Sequence, residues 1–435
     1  MLDERFKFSQ EWGKIRDLVF QTLNLDLIEE LKNDPNRIQR EIQTIIRDII
    51  NSGNAYITTD ESVVLANMIC DEIIGYGPID SLMKDETVND ILVNGPYSIY
   101  VERAGVLSKT NKFFINDRQL IDIARRLVNK IGKNIDESHP LVDSRMPDGS
   151  RLNVVIPPIA IDGASLSIRK FGKGSRTFHD LIQFGSLNED MANFLVIAAR
   201  CRMNIIISGG TGAGKTTLLN ALSQFIGETE RTITLEDAAE LRLQQDHVVR
   251  METRVGGEDG RGQVTMRNLL INALRMRPDR IILGECRGEE AFEMLQAMNT
   301  GHNGSMSTLH ANTAKDALSR LESMIIMAQA ELPLVAIRRY ISSSVNFVIQ
   351  ISRLPDGQRK ITSITEIVGL ESDNVVTQDV FKFHINDERD EQGKLQGKFV
   401  CNGLIKRSAL YEGAQYYGMA DVLEKLMLKA GGISV

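Results

Sequence analysis

The stretch Gly209-Gly210-Thr211-Gly212-Ala213-Gly214-Lys215-Thr216 limits the chain's fold more than any other segment. It matches the phosphate-loop pattern G-x-x-x-x-G-K-[ST], and its surroundings suit the motif. The β-branched run Ile205-Ile206-Ile207 precedes it, and Leu218, Leu219, Leu222, Phe225 and Ile226 follow at helical spacing. Strand, glycine loop and helix in this order are the opening unit of a parallel α/β sheet. Glycines let backbone N–H groups curl around phosphate oxygens, and the helix N-terminus adds positive potential. The expected cradle is Gly210, Thr211, Gly212, Ala213, Gly214, Lys215, Thr216 and Thr217. Lys215 reaches the β- and γ-phosphates, and the Thr216 hydroxyl ligates Mg²⁺.

A chain of 435 residues holds two or three domains. No apolar run approaches the ~18 residues that span a bilayer. The first residues are charged and lack a signal-peptide core. The net charge of −7 argues against a large nucleic-acid footprint. Cys70, Cys201, Cys286 and Cys401 lie far apart, with neither metal-ligand spacing nor a disulfide framework. These features predict a cytoplasmic protein that meets membranes only through partners.

Four regions are expected. Residues 1–58 read as a helical segment: Trp12, Ile15, Val19, Leu23 and Leu27 form one stripe and Ile38, Ile42, Ile45, Ile46, Ile49 and Ile50 a second, separated by Asp34-Pro35-Asn36. Such stripes suit either a small helical bundle or a docking module. Residues 59–171 mix helix and strand around an antiparallel sheet, with a hairpin turn at Pro147-Asp148-Gly149. Residues 172–180 are the expected hinge, centred on Gly172-Lys173-Gly174-Ser175. Residues 181–435 alternate apolar strands and helices in the doubly wound pattern and end in a hairpin at Pro355-Asp356-Gly357, a charged loop over 386–393 and a last helix over 419–429.

Three further segments make sense beside a triphosphate. The apolar run Thr232-Ile233-Thr234-Leu235 delivers Glu236 and Asp237 at its C-terminal end, where open α/β sheets bind ligands. Glu236 is placed to orient or deprotonate a water. A second run, Ile281-Ile282-Leu283, ends in Gly284-Glu285, and Glu285 would hold Mg²⁺, through water. The third, Thr300-Gly301-His302-Asn303-Gly304-Ser305-Met306-Ser307-Thr308-Leu309-His310, carries two of the six histidines, suited to sensing a γ-phosphate. Positive charge is expected from Arg254 and Arg261, from Arg275, Arg277 and Arg280, and from Arg151 and Arg169. No guanine-specificity motif follows the phosphate loop, so adenine is the expected base and ATP the expected nucleotide.

Taken together, GGTGAGKT, ITLEDAAEL, RPDRIILGECRG and TGHNGSMSTLHAN resemble the secretion ATPase superfamily of type II and type IV secretion, pilus and archaellum motors. The stretches GYGPIDSLMKDETVNDILVNGPYSIYVERAG, SRMPDGSRLNVVIPPIAIDGASLSIRKF and ISRLPDGQRKITSITEIVGLE are similar to its CpaF-type tight-adherence (Tad, or Flp) pilus motors. The resemblance implies a RecA-like ATPase domain after a smaller α+β, PAS-like domain, and rigid-body motion of the two about the hinge. It implies a homohexamer with an ATP and Mg²⁺ in each subunit cleft, working on an inner-membrane platform protein from the cytoplasmic face. By position, Glu236 matches the catalytic acid, Glu285 the second-motif acid and His310 the γ-phosphate-contacting histidine. Arg151 and Arg169 match nucleotide-facing arginines of the first domain; Arg254 and Arg261 are the other candidates. A type IV secretion ATPase and an ATP-gated switch without sustained turnover stay open as other readings.

Overall fold

The computed structural model describes residues 2–23, 34–103, 106–170, 176–254, 256, 261–391 and 393–431. The chain divides between residues 173 and 174 into two compact units. The expected hinge residues 172–175, Leu27 and the glycines at 257 and 260 lie outside the described residues.

In the first unit, Leu2–Thr22, Pro35–Asn51 and Thr59–Ile74 are helices. Asp34 caps the second helix through its side chain and Pro35 opens it, an N-terminus that suits a residue without an N–H. Thr58 and Glu61 form a reciprocal capping box at the third. The two apolar stripes do not face outward. Trp12, Ile15, Val19, Ile38, Ile42 and Ile46 are buried against Leu65, Ala66, Ile69 and Ile115. The described parts of this region are thus built into the first unit as a helical stack, and the described residues of both stripes pack there. A buried polar knot ties the stack to the rest of the unit: the Arg16 guanidinium pairs with the fully buried Glu72, which also accepts from Gln119 Nε2 at 2.6 Å.

The sheet of this unit is antiparallel throughout. It comprises β1 (Asp90–Asn94), β2 (Ile99–Arg103), β3 (Val106–Lys109), β4 (Leu141–Arg145), β5 (Arg151–Val155) and β6 (Ser165–Arg169) in the order β3-β2-β1-β6-β5-β4. Strict alternation explains the layering. Ile91, Val93, Leu152, Val154, Leu166 and Ile168 point into a core covered by the Asp117–Lys130 helix, while their neighbours form an open polar face.

The second unit has a nine-stranded sheet in the order β15-β14-β13-β12-β7-β11-β10-β8-β9. Its parallel half is β7 (Ile205–Ser208), β8 (Thr232–Glu236), β9 (Val248–Glu252), β10 (Arg280–Leu283), β11 (Met306–Leu309) and β12 (Phe347–Arg353). β7, β8, β10 and β11 are buried at every residue, which is why, apart from Arg280 and Glu236 at their ends, they read as apolar or small-polar runs. Ile205 and Ile207 enter the core on one face and Ile206 the core on the other. β13 (Arg359–Glu371), β14 (Asn374–Arg389) and β15 (Leu395–Cys401) extend the sheet as an antiparallel meander.

Two boundaries differ from the sequence reading. Thr177 caps a helix at Phe178–Gln183, so residues 178–180 belong to the second unit and not to a linker. The charged run 386–393 is not a loop as a whole: β14 continues to Arg389, leaving a short turn in which Asp390 N–H donates to the Lys394 carbonyl. Charge masks a strand whose two sides are both wet.

Candidate active site

Strand order brings the motifs together. β11 lies between β7 and β10, and β8 is next to β10. Four parallel strands therefore end side by side, followed by Gly209, His310 and Glu285 and closed by Glu236. At about 4.8 Å per strand, the row spans roughly 14 Å. The loop backbone supplies the curvature the motif needs: Gly212 and Gly214 have φ of +69° and +105°. Gly209 has no room for a side chain, since a β-carbon there would stand 2.3 Å from the Ile351 carbonyl oxygen. Helix Lys215–Ser223 starts directly from Gly214.

Lys215 is buried, and burial pulls its ammonium below the ordinary lysine value while Glu285 opposes that shift. Its Nζ donates to the carbonyls of Gly209 and Gly210 at 3.0 and 3.2 Å and lies 3.3 Å from His310 Nε2. His310 Nε2 is also 2.7 Å from Glu285 Oε1. Burial lowers the His310 pKa, with Glu285 raising it and Lys215 lowering it further. The other oxygen of Glu285 accepts from Arg287 Nε at 2.8 Å, and Arg287 reaches Asp237 at 3.3 Å. Lysine, histidine, glutamate, arginine and aspartate thus form one charged chain across three strand ends.

Glu236 is buried beside Gly284, whose missing side chain makes the space for it. Its Oε2 accepts from the backbone N–H groups of Glu240 and Leu241 at 2.6 and 2.8 Å. Burial outweighs these bonds and pushes the carboxyl up to about 7. Among the described residues, Glu236 Oε1 and Glu285 Oε1 are buried oxygens without a well-formed hydrogen bond. The Thr216 hydroxyl and such a carboxylate are hard oxygen donors, the set that suits Mg²⁺ held also by phosphate. No group of three or more His, Cys, Asp or Glu side chains is gathered as a metal cage among the described residues.

His302, Arg275, Arg277 and Arg280 fall away from the phosphate loop. His302 precedes β11 and His310 follows it, so the two histidines sit at opposite ends of the strand; the His302 ring faces the Ala297 carbonyl. Arg275, Arg277 and Arg280 enter β10 from its N-terminal end, away from the phosphate loop. Arg280 is fully buried and forks onto Glu230 at 2.7 and 2.9 Å. Cys286 is buried and its thiol is held far above the ordinary value. Arg254 and Arg261 are exposed on the excursion after β9, where Arg254 bridges Val264 through its backbone. In the first unit, Arg151 and Arg169 stand directly opposite each other on β5 and β6, with Arg145 opposite Arg151 on β4. Asp143 pairs with Arg151 at 2.7 Å and Asp90 with Arg169 at 3.1 Å, which offsets the like-charge row.

Sequence reasoning missed Arg287. Its position two residues after Glu285 was the available signal, but only the strand end shows that it folds back onto that carboxylate.

The description "Type II/IV secretion system protein" fits residues 72–409 as a family. The type IV secretion system protein VirB11 of Bartonella henselae is 31% identical over 349 residues, covering 72% of this chain and 95% of that one. The conjugal transfer protein TrbB of Rhizobium radiobacter is 31% identical over 303 residues, covering 68% of this chain and 88% of its own. Among solved structures, the VirB11 ATPase of the Brucella suis type IV secretion system in complex with sulphate is 28% identical with a TM-score of 0.37, covering 66% of this chain and 94% of that one.

Proposed function

Since the chain belongs to the type II/IV secretion system protein family, we propose that it is an ATP-hydrolysing motor that powers assembly of a tight-adherence pilus. In this reading six copies form a ring at the cytoplasmic face of the inner membrane, with an ATP between neighbours, and push a membrane platform protein. The observation that carries the chemistry is the strand order, which sets the phosphate loop, His310, Glu285 and Glu236 along one sheet edge.

Backbone N–H groups of Gly210, Thr211, Gly212, Ala213, Gly214, Lys215, Thr216 and Thr217 cradle the phosphates. Lys215 exchanges the Gly209 and Gly210 carbonyls for phosphate oxygens. The Thr216 hydroxyl and, through water, Glu285 would hold Mg²⁺, which supplies charge neutralisation on the β- and γ-oxygens. Glu236 orients the attacking water and takes its proton, a task matched to a carboxyl near 7. Water adds to the γ-phosphorus, the bond to the β-phosphate oxygen breaks, and ADP and phosphate leave. His310, against Lys215 and Glu285, registers the γ-phosphate. Arg151, Arg169, Arg254 and Arg261 are proposed to reach the phosphates from the first unit or from a neighbouring subunit, and to let go when the γ-phosphate leaves.

The names of the VirB11 and TrbB relatives favour a second reading, an export ATPase of a type IV secretion or conjugation system. Gene deletion in the parent cell separates the two. Loss of surface pili, restored by the wild-type gene and not by one encoding Lys215→Ala, supports the pilus motor. Intact pili with lost substrate or DNA export supports the other.

A further inference from the structure

One further arginine, Arg359, lies beside the phosphate loop. β12 runs alongside β7 with Gln350 opposite Ser208 and continues three residues past the end of β7. β13 returns with Arg359 opposite Arg353, so the hairpin overhangs the loop. Side chains from both strands touch it: a β-carbon on Gly214 would stand 3.4 Å from Ile351 Cδ1 and 3.5 Å from Arg359 Cδ. Arg359 Nε donates to the Gly212 carbonyl at 2.9 Å. Its two Nη groups make no hydrogen bond or ion pair among the described residues. The adjacent Lys360 is committed elsewhere, with Nζ on the Gly185 carbonyl at 2.7 Å and over the Phe383 ring.

The hairpin is well braced. Asp356 accepts from Gln358 N and Nε2 at 3.0 and 2.6 Å and from Leu395 N at 2.6 Å, which fastens the turn to β15. The Arg359 guanidinium is therefore held against the middle of the loop by one nitrogen, with its remaining donors uncommitted. Arginine's planar fork suits phosphate oxygens in two-point contact, and ordering it beforehand lowers the entropic cost of binding.

We propose that Arg359 is a nucleotide-binding residue, whose Nη donors take oxygens of the phosphate chain while its Nε holds the Gly212 peptide in place. The inference rests on the reading of this edge as the nucleotide site. It is tested by titrating the full chain with fluorescent N-methylanthraniloyl ATP and ADP. Arg359→Ala is expected to weaken both by about 10-fold or more, as loss of a charge-assisted hydrogen bond does, and Arg359→Lys by less. Parent and Arg359→Ala binding equally overturns the inference. Should Arg359→Ala fail to fold, Arg359→Lys decides: a several-fold loss supports the inference and parent affinity overturns it. If the parent itself binds neither nucleotide while folded, the nucleotide-site reading fails, an outcome distinct from the others.

Discussion

Gly209 shows how little freedom the site has at the level of single residues. The Ile351 carbonyl occupies the place of its β-carbon, so Gly209→Ala must shift either the loop or β12. The expected result is a loss of nucleotide affinity of about 10-fold or more, checked by the same fluorescent titration. Arg287 poses a different case. It holds the Glu285 oxygen that His310 does not reach, so Arg287→Ala frees the carboxylate to leave the position proposed for Mg²⁺. Turnover is expected to fall roughly 10-fold, with ADP affinity close to the parent's. That Lys215, Glu236, Glu285 and His310 lie at neighbouring strand ends was legible in the sequence because each follows a recognisable apolar strand. The placements of Arg287 and Arg359 were not, since an arginine's neighbours depend on which strand end or hairpin delivers it. Arg280 shows the converse: rich in promise as a cation near an acidic strand, it is spent on Glu230 in the interior.

Elements were readable where burial writes a period into the sequence. The central parallel strands carry mostly apolar and small polar residues because both their faces are buried, and strands such as β6 of the first unit alternate because one face is open. What the helical stripes of residues 1–58 pack against was not readable, because a stripe names a face and not its cover. The structure places Ile42 and Ile46 within the first unit's own core. Ile42→Ala is accordingly expected to destabilise that unit by about 2–4 kcal/mol, measured by urea unfolding. On β13, Glu366 is buried with Oε2 unpartnered; Ser408 Oγ donates to its other oxygen. Burial pushes its carboxyl up to about 7 from an ordinary 4.5. The folded protein then keeps a proton that the unfolded chain loses between these values. Stability falls as pH rises through that window, and the cost is complete above the folded value. Relative to Glu366→Gln, the parent should lose on the order of 2 kcal/mol between pH 5 and pH 8, again by urea unfolding.

At the scale of the whole molecule, a nine-stranded sheet gathers the proposed catalytic groups and an antiparallel meander braces the phosphate loop from one flank. In the first unit, Arg145, Arg151 and Arg169 form a cross-strand row in which Asp143 and Asp90 pair with two of the three. That order of strands follows from no local signal: β11 enters between β7 and β10 although it comes last of the three in sequence. The rule that ligands sit at the carboxyl ends of parallel strands, together with the family resemblance of the four motifs, linked them in advance. Steady-state phosphate release from ATP and Mg²⁺ by the purified chain and its Lys215→Ala variant measures the central claim most directly. The account predicts sustained turnover by the parent and a loss of at least about 100-fold in the variant, whose fold is unchanged by circular dichroism. Equal rates in the two proteins would contradict it.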